Sequence, residues 1–132
     1  MSFEFRVLSN VKRSTVNGLT IYYFKMKEIL QHLNNKAFDN RVRLGIMSIL
    51  MVNDWVDFTT FKDMLGSLGG DKGMTDGNLA SHMSTLEKDG YVEIRKQFVG
   101  KKPQTTYSAT ISGRKAFTDY LSALESLLKN IG

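Results

Sequence analysis

The residues best suited to binding chemistry in this sequence lie in one polar segment and are followed by two lysines. Lys101 and Lys102 supply positive charge for phosphates, although a solvated hairpin tip would also account for them. Short polar groups hydrogen-bond base edges and phosphate oxygens, so the segment is typical of a nucleic-acid contact surface. Its candidate contact residues are Thr75, Asp76, Gly77, Asn78, Ser81 and Thr85.

Three residues of this segment differ in what they can contribute. The amide of Asn78 both donates and accepts, so it can pair with adenine in a bidentate way worth about 1–3 kcal/mol of discrimination. Asp76 is interpreted mainly as a helix-capping acid, because its charge stabilises a helix N-terminus but opposes phosphate. Gly77 has two open interpretations, which are close approach of the backbone to DNA and tolerance of glycine in a frayed first turn.

Other kinds of site have little support. The chain has no cysteine and two histidines, which excludes disulfides and thiolate metal sites, and no cofactor is expected. His82 is predicted to be a partly buried helix residue rather than a ligand. The glycine-rich stretch at residues 69–73 lacks the context of a phosphate-binding loop. We therefore predict that the protein is not an enzyme.

Charge is unevenly distributed along the 132 residues, whose formal net charge is +5. Residues 1–45 hold eight Lys/Arg against three Asp/Glu, whereas residues 46–103 hold seven against eight. The segment with the candidate contacts is thus not basic as a whole. Its positive charge is concentrated in one cluster, formed by Arg95, Lys96, Lys101 and Lys102. No Asp or Glu lies between these four residues.

The spacing of apolar residues predicts the elements that position these groups. Residues 1–18 are an arm or a strand, and a first helix starts at Leu19. A buried second helix follows Asp39 or Asn40, and residues 55–58 form a small strand before Thr59 or Thr60 caps a third helix. The apolar residues of this third helix are Phe61, Met64, Leu65 and Leu68.

The second half of the chain predicts a recognition helix and a hairpin. The helix covers residues 75–89, is anchored by Leu79, Met83 and Leu86, and ends at Gly90. Strands at residues 91–99 and 105–110 flank a basic turn at residues 100–104. Ser112 is predicted to cap a last helix with an apolar stripe.

Four segments resemble a known group of proteins: DGNLASHM at residues 76–83, LEKDGYV at 86–92, GKKPQTTY at 100–107 and SGRKAF at 112–117. Over roughly residues 40–128 the chain resembles the winged helix-turn-helix transcriptional regulators related to the multiple-antibiotic-resistance (MarR) and arsenical-resistance (ArsR) repressors. The resemblance implies homodimers that place recognition helices in successive major grooves of pseudo-palindromic double-stranded DNA. It implies no metal or ligand site here.

Together these observations predict a mainly α fold with a small β-hairpin wing, in which residues 19–132 form the DNA-binding domain with terminal dimerisation helices. The expected function is that of a sequence-specific DNA-binding transcriptional regulator, a repressor, acting as a homodimer. The alternative is a winged-helix module for protein association without DNA. The dense apolar run at residues 44–52 is too short to cross a bilayer, so a cytoplasmic protein is expected. The sequence identifies no effector ligand.

Overall fold

The computed structural model describes residues 17–131, which contain five α-helices, two short 3₁₀ helices and a three-stranded sheet. The predicted arm or strand at residues 1–18 lies outside the described residues, except that Asn17 and Gly18 already belong to the first helix. The elements are α1 (Asn17–Leu33), a 3₁₀ helix (Lys36–Phe38), α2 (Arg41–Met51), β1 (Val56–Asp57), α3 (Phe58–Met64), a second 3₁₀ helix (Gly66–Gly69), α4 (Asp76–Lys88), β2 (Val92–Val99), β3 (Lys102–Ala109) and α5 (Ile111–Ile131). Helix α5, with 21 residues, is the longest of these helices and starts two residues after the end of β3.

Two compact units divide the described residues. One extends from Asn35 to Asp119 and contains α2, α3, α4 and the sheet. The other contains α1 and the part of α5 that starts at Tyr120. In this second unit Ile29 and Ala123 are buried, whereas several large apolar side chains are exposed: Leu19, Ile21, Tyr22, Phe24, Leu30, Leu121 and Leu128.

Helix α2 is the central buried helix that the sequence predicts. The Asn40 side chain caps it by accepting hydrogen bonds from the backbone N–H groups of Val42 at 2.8 Å and Arg43 at 3.4 Å. Its apolar residues cover most of its circumference, and five of them are buried: Val42, Ile46, Met47, Ile49 and Leu50. The core of the larger unit is therefore built around α2.

The start of α3 differs from the prediction. The strand covers only Val56–Asp57, and Phe58 is already helical, so Asp57 rather than Thr59 or Thr60 occupies the N-cap position. The Thr60 hydroxyl donates to the Asp57 carboxylate, so this threonine bonds the N-cap residue and does not itself occupy the cap position. The helix ends at Met64, whose side chain is 59% exposed rather than part of the core, whereas Phe61 and Leu65 are buried.

The sheet has the order β1-β3-β2 and is antiparallel throughout. Pairing between β2 and β3 continues to Val99 and Lys102, so the turn consists of Gly100 and Lys101 only. Lys102, Pro103 and Gln104, which the sequence placed in the turn, belong to β3. Proline is tolerated there because β1 reaches only Thr106 and Tyr107, which leaves the Pro103 end of β3 as an edge. Gly100 supplies the positive φ of 65° that a two-residue hairpin turn needs.

The last helix starts one residue before the predicted cap. Helix α5 begins at Ile111, and the Thr110 side-chain oxygen accepts a hydrogen bond of 2.9 Å from the Gly113 N–H. The Thr110 hydroxyl also donates to the Gly90 carbonyl at 2.6 Å. Thr110, not Ser112, therefore caps α5 and ties its start to the end of α4.

Candidate nucleic-acid interface

Helix α4 has the anchored form expected of a recognition helix. Leu79, Met83 and Leu86 are 0–1% exposed and fix its inner face. At its start, the Thr75 side-chain oxygen accepts a hydrogen bond of 3.1 Å from the Asn78 N–H. At its end, Gly90 has a φ of 77°, and the Gly90 and Tyr91 N–H groups each bond a carbonyl of the last turn at 2.9 Å. The predicted helix and both of its caps are confirmed.

The predicted contact residues of α4 are solvent-accessible. Thr75, Asp76, Gly77, Asn78 and Ser81 are exposed, and apart from its chain neighbours and the backbone of its own helix no atom lies within 4 Å of the position a Cβ would take at Gly77. Thr85 is half-buried. The structure thus brings the first-turn candidates together on one accessible surface, while Thr85 lies one turn further along.

Two of these polar side chains already have partners within the protein. The Thr85 hydroxyl donates to the Ser81 carbonyl at 3.1 Å, which leaves only its acceptor capacity free. The Asn78 amide donates to the Met74 sulfur at 3.8 Å, which is a weak contact because thioether sulfur is a poor acceptor. The Asn78 amide is therefore only weakly held and remains available to other hydrogen-bond partners.

An ion pair that the sequence did not reveal lies at the start of α4. The Lys62 ammonium group, from α3, is 2.7 Å from a carboxylate oxygen of Asp76. Both side chains are well exposed, so the pair contributes little to stability. It does compensate the negative charge that otherwise opposes phosphate at this helix N-terminus. No spacing rule connects residues on two different helices, so sequence reasoning had no signal for Lys62.

The wing carries its cations at an exposed end. Lys101 lies in the hairpin turn, Lys102 starts β3, and Lys96 is exposed on β2. Arg95 instead lies over the Trp55 ring, with its guanidinium carbon 4.0 Å from the ring centroid. Among residues 17–131 the ion pairs described are Lys62–Asp76, Lys115–Asp119 and Lys129–Glu125, and none of them involves these wing cations.

Helix α4 is also linked to α2 by a hydrogen bond between Arg43 and His82. The Arg43 guanidinium group donates to the carbonyls of Ala37 at 2.6 Å and Lys36 at 3.2 Å and lies 2.9 Å from His82 Nδ1. A guanidinium group can only donate, so Nδ1 is the acceptor and the ring is neutral. Burial lowers the pKa of the His82 imidazole, and the positive charge of Arg43 lowers this pKa further. The prediction of a partly buried helix histidine agrees with the half-buried position of His82.

This contact predicts a loss of stability in mild acid. Below pH about 6.5 the unfolded chain takes up a proton at His82, whereas the folded chain, with its lower pKa, does not. The free energy of unfolding therefore falls as the pH decreases from about 6.5 to the pKa of the folded state. Urea unfolding between pH 8 and pH 5.5 measures this slope.

The matched variant for this measurement is His82→Gln, which keeps a side-chain acceptor for Arg43 but does not titrate. Its free energy of unfolding will depend less on pH than that of the wild type over the same interval. Equal slopes in the two proteins would show that His82 contributes no proton linkage.

Within residues 17–131, no three His, Asp or Glu side chains are close enough to one another to hold a metal ion. None of the helices in that range is both long enough and apolar enough to cross a membrane.

The chain belongs to the winged helix DNA-binding domain family, whose profile matches residues 42–128. It is 33% identical over 96 residues to an uncharacterised protein of Methanocaldococcus jannaschii, which covers 73% of this chain and 97% of that protein. This family assignment confirms the winged-helix fold predicted from the sequence.

Solved structures agree with the family assignment. A transcriptional regulator homologue from Pyrococcus horikoshii superposes with a TM-score of 0.68 and 28% identity, covering 80% of this chain and 97% of that one. A protein from Bacillus cereus named as MarR-like shares the fold, with a TM-score of 0.55, 16% identity, and 92% and 81% of the two chains covered. The family is that of a winged-helix DNA-binding domain, and these solved transcriptional regulators share its fold.

Proposed function

We propose that this chain is a sequence-specific transcriptional regulator that binds duplex DNA as a homodimer and acts as a repressor. The observation that carries the DNA-binding proposal is the accessible polar start of α4 combined with wing lysines that have no described acidic partner. The repressor role rests on the resemblance to the MarR and ArsR repressors. The competing function, protein association without DNA, makes the opposite prediction in the experiment below.

The proposed contact of α4 is with the major groove. The first turns of a recognition helix reach base edges while neighbouring elements hold phosphates. Leu79, Met83 and Leu86 fix the helix from its buried side, which orients Asn78 and Ser81 outward. Lys62 compensates Asp76 at the end that approaches the DNA. The helix can therefore present an amide and a hydroxyl group without placing an unpaired carboxylate against phosphate.

The proposed contact of the wing is with the phosphate backbone. Lys101 and Lys102 are adjacent in sequence and exposed at the end of a paired hairpin, which limits the motion of their backbone. Each phosphate that a lysine neutralises contributes about 0.9 to the slope of log affinity against log salt concentration. The two lysines together account for a slope contribution of about 1.8 per chain.

The proposed dimer uses the first and last helices. Leu19, Ile21 and Phe24 of α1 are 46%, 56% and 48% exposed, and Leu128 of α5 is 71% exposed. Ile21 and Phe24 lie on one face of α1 at i, i+3 spacing, and adjacent exposed apolar side chains are typical of association surfaces. A two-fold dimer suits a palindromic site, because its half-sites lie about 34–36 Å apart and require two recognition helices.

The experiment compares wild type with Lys101→Ala/Lys102→Ala by binding to a pool of palindromic duplexes at several salt concentrations. We expect the wild type to bind as two chains per duplex, and the variant to lose affinity and about 1.8 units of salt slope per chain. Light scattering of the free protein and of the complex measures the number of chains.

The control variant is Lys36→Ala/Lys115→Ala, which removes the same charge from exposed lysines outside α4 and the wing. It should keep nearly the wild-type salt slope. If the wild type binds no duplex at low salt, the DNA-binding proposal fails and the protein-association function is favoured. If both double variants lose the same slope, the wing is not the phosphate contact.

A further inference from the structure

The end of the wing exposes a large aromatic side chain among its lysines. Phe98 is 74% exposed, and none of the ring contacts among residues 17–131 includes it. Lys96, Lys101 and Lys102 are exposed at the same end of the hairpin, and these four residues are called the wing-tip patch. Burying such a side chain is worth about 1.5–3 kcal/mol, so a partner that covers Phe98 would gain affinity from it.

The hairpin geometry holds Phe98 outside the core. Along β2, Val92 is buried and Ile94 is half-buried, but every residue from Arg95 to Val99 is exposed. Phe98 pairs with Pro103 across the hairpin, one pair before the turn at Gly100 and Lys101. A strand pair with a two-residue turn is a short, rigid support, so Phe98 projects at a fixed place on it.

The charge around Phe98 favours a polyanionic partner. The sequence contains no Asp or Glu between Glu93 and Asp119. The nearby groove between β3 and the start of α3, of about 490 Å³, is lined by Lys102 of this patch together with Val99 and the acidic Asp57, but not by Phe98. The wing-tip patch therefore adjoins the groove through Lys102, while Phe98 lies outside the groove.

From this placement we infer that Phe98 inserts into the DNA minor groove as an apolar wedge while Lys96, Lys101 and Lys102 hold the phosphates on both sides. This inference rests on the proposed DNA-binding function and adds a residue and a contact type to it. Phenylalanine side chains that enter the minor groove partly unstack a base step and bend the duplex. Unstacking is easiest at flexible pyrimidine–purine steps such as TA, so Phe98 contributes sequence preference without hydrogen bonds.

The test measures binding of Phe98→Ser and Phe98→Leu to the random palindromic pool and to two defined duplexes, one with TA steps and one with an A-tract at the wing position. We expect Phe98→Ser to bind the TA duplex about tenfold more weakly than wild type and to lose its preference over the A-tract. Phe98→Leu, which keeps an apolar wedge, should stay close to wild type. A 2-aminopurine at the TA step should brighten with wild type but not with Phe98→Ser.

The salt slope separates this contact from the lysine contacts. Because Phe98→Ser removes no charge, its salt slope should equal that of wild type. Val52→Ser is the matched control, since Val52 is 82% exposed and lies at the end of α2, outside α4 and the wing. It should bind both duplexes as the wild type does.

Several results would overturn the inference. Wild-type binding that depends on Lys101 and Lys102 but is unchanged in Phe98→Ser would reject the wedge and leave the proposed function intact. A wild type that binds no duplex would reject both. Binding to vesicles of phosphatidylserine and phosphatidylcholine that is lost in Phe98→Ser, with unchanged duplex affinity, would assign the wing-tip patch to a lipid surface instead.

Discussion

Replacing Gly113 with alanine will lower the free energy of unfolding by about 3 kcal/mol, at the upper end of the usual cost of overpacking. A Cβ at this position would overlap the Tyr91 carbonyl oxygen and lie 2.9 Å from both the carbonyl carbon and the Cα of Tyr91. Real Cβ atoms do not approach other atoms this closely. Since the obstructing atoms are backbone atoms, no side-chain rotation can relieve the contact.

The backbone of Tyr91 has little freedom to move away from such a methyl group. Its N–H bonds the Leu86 carbonyl at 2.9 Å, and its carbonyl accepts from Thr110 N at 3.0 Å. Its hydroxyl accepts from the Asn35 amide at 3.0 Å, and its ring stacks on Phe38. Displacing Tyr91 therefore disturbs the end of α4 and the start of α5 together.

Thermal and urea unfolding of Gly113→Ala measure this effect, and a loss of about 3 kcal/mol corresponds to roughly 10 °C in Tm for a domain of this size. Gly77→Ala is the control, because nothing lies within 4 Å of its Cβ position and alanine is the better helix former by about 1 kcal/mol. It should raise Tm slightly. Equal Tm values for Gly113→Ala and wild type would mean that α5 does not pack against Tyr91 as described.

The helix faces and the hairpin could be predicted from the sequence because periodic apolar residues determine which side of an element is buried. Leu79, Met83 and Leu86 recur at helical spacing, and all three are buried. The strands of the wing were predictable from their alternation, although the turn proved shorter than predicted. Lys102 belongs to β3 because hairpin pairing, not the position of Pro103, sets where the turn ends.

Helix starts were harder to predict because several hydroxyl residues near each boundary can cap a helix. Thr110 and Ser112 both lie near the start of α5, and only the structure shows that Thr110 accepts the Gly113 N–H. Local preference alone does not distinguish two neighbouring caps. For the same reason, the sequence predicts Thr59 or Thr60 as the cap of α3, whereas Asp57 occupies the N-cap position.

Contacts between distant residues were not predictable from one sequence. Phe38 is 1% exposed, stacks on Tyr91 and meets Phe117 edge to face, yet it lies in a three-residue 3₁₀ helix with no periodic pattern. The pairs Lys62–Asp76 and Arg43–His82 likewise join separate helices. These contacts depend on tertiary packing, which sets both the charge compensation and the orientation of α4.

Asn78→Ala is expected to lose base discrimination, which is the second large effect. Lys62 supports the contact of Asn78 with a base, because it compensates the charge of Asp76 at the same end of α4. A bidentate pair between an asparagine and adenine contributes about 1–3 kcal/mol of discrimination, or at least fivefold in relative affinity. We expect Asn78→Ala to lose this preference at one position in each half-site. Its affinity for unrelated duplexes, which phosphate contacts dominate, should change little.

Selection of bound duplexes from a random pool, performed with wild type and Asn78→Ala, measures this change. The comparison is not confounded by unfolding, because the Thr75 cap bonds the backbone N–H of residue 78 rather than its side chain. Asn78 is exposed, and alanine is the better helix former, so Tm should not fall. A uniform loss of affinity for all duplexes would instead make Asn78 a backbone contact.

Asn78→Asp gives a sharper result because it keeps the size of the side chain but removes its donors. A carboxylate accepts from the cytosine amine and cannot satisfy adenine, so the selected base at that position should change from adenine to cytosine. The added charge lies two residues from Asp76, whose only described ionic partner is Lys62, so overall affinity should fall as well. If Asn78→Asp selects the same bases as wild type with weaker affinity, the residue senses phosphate charge and does not read a base.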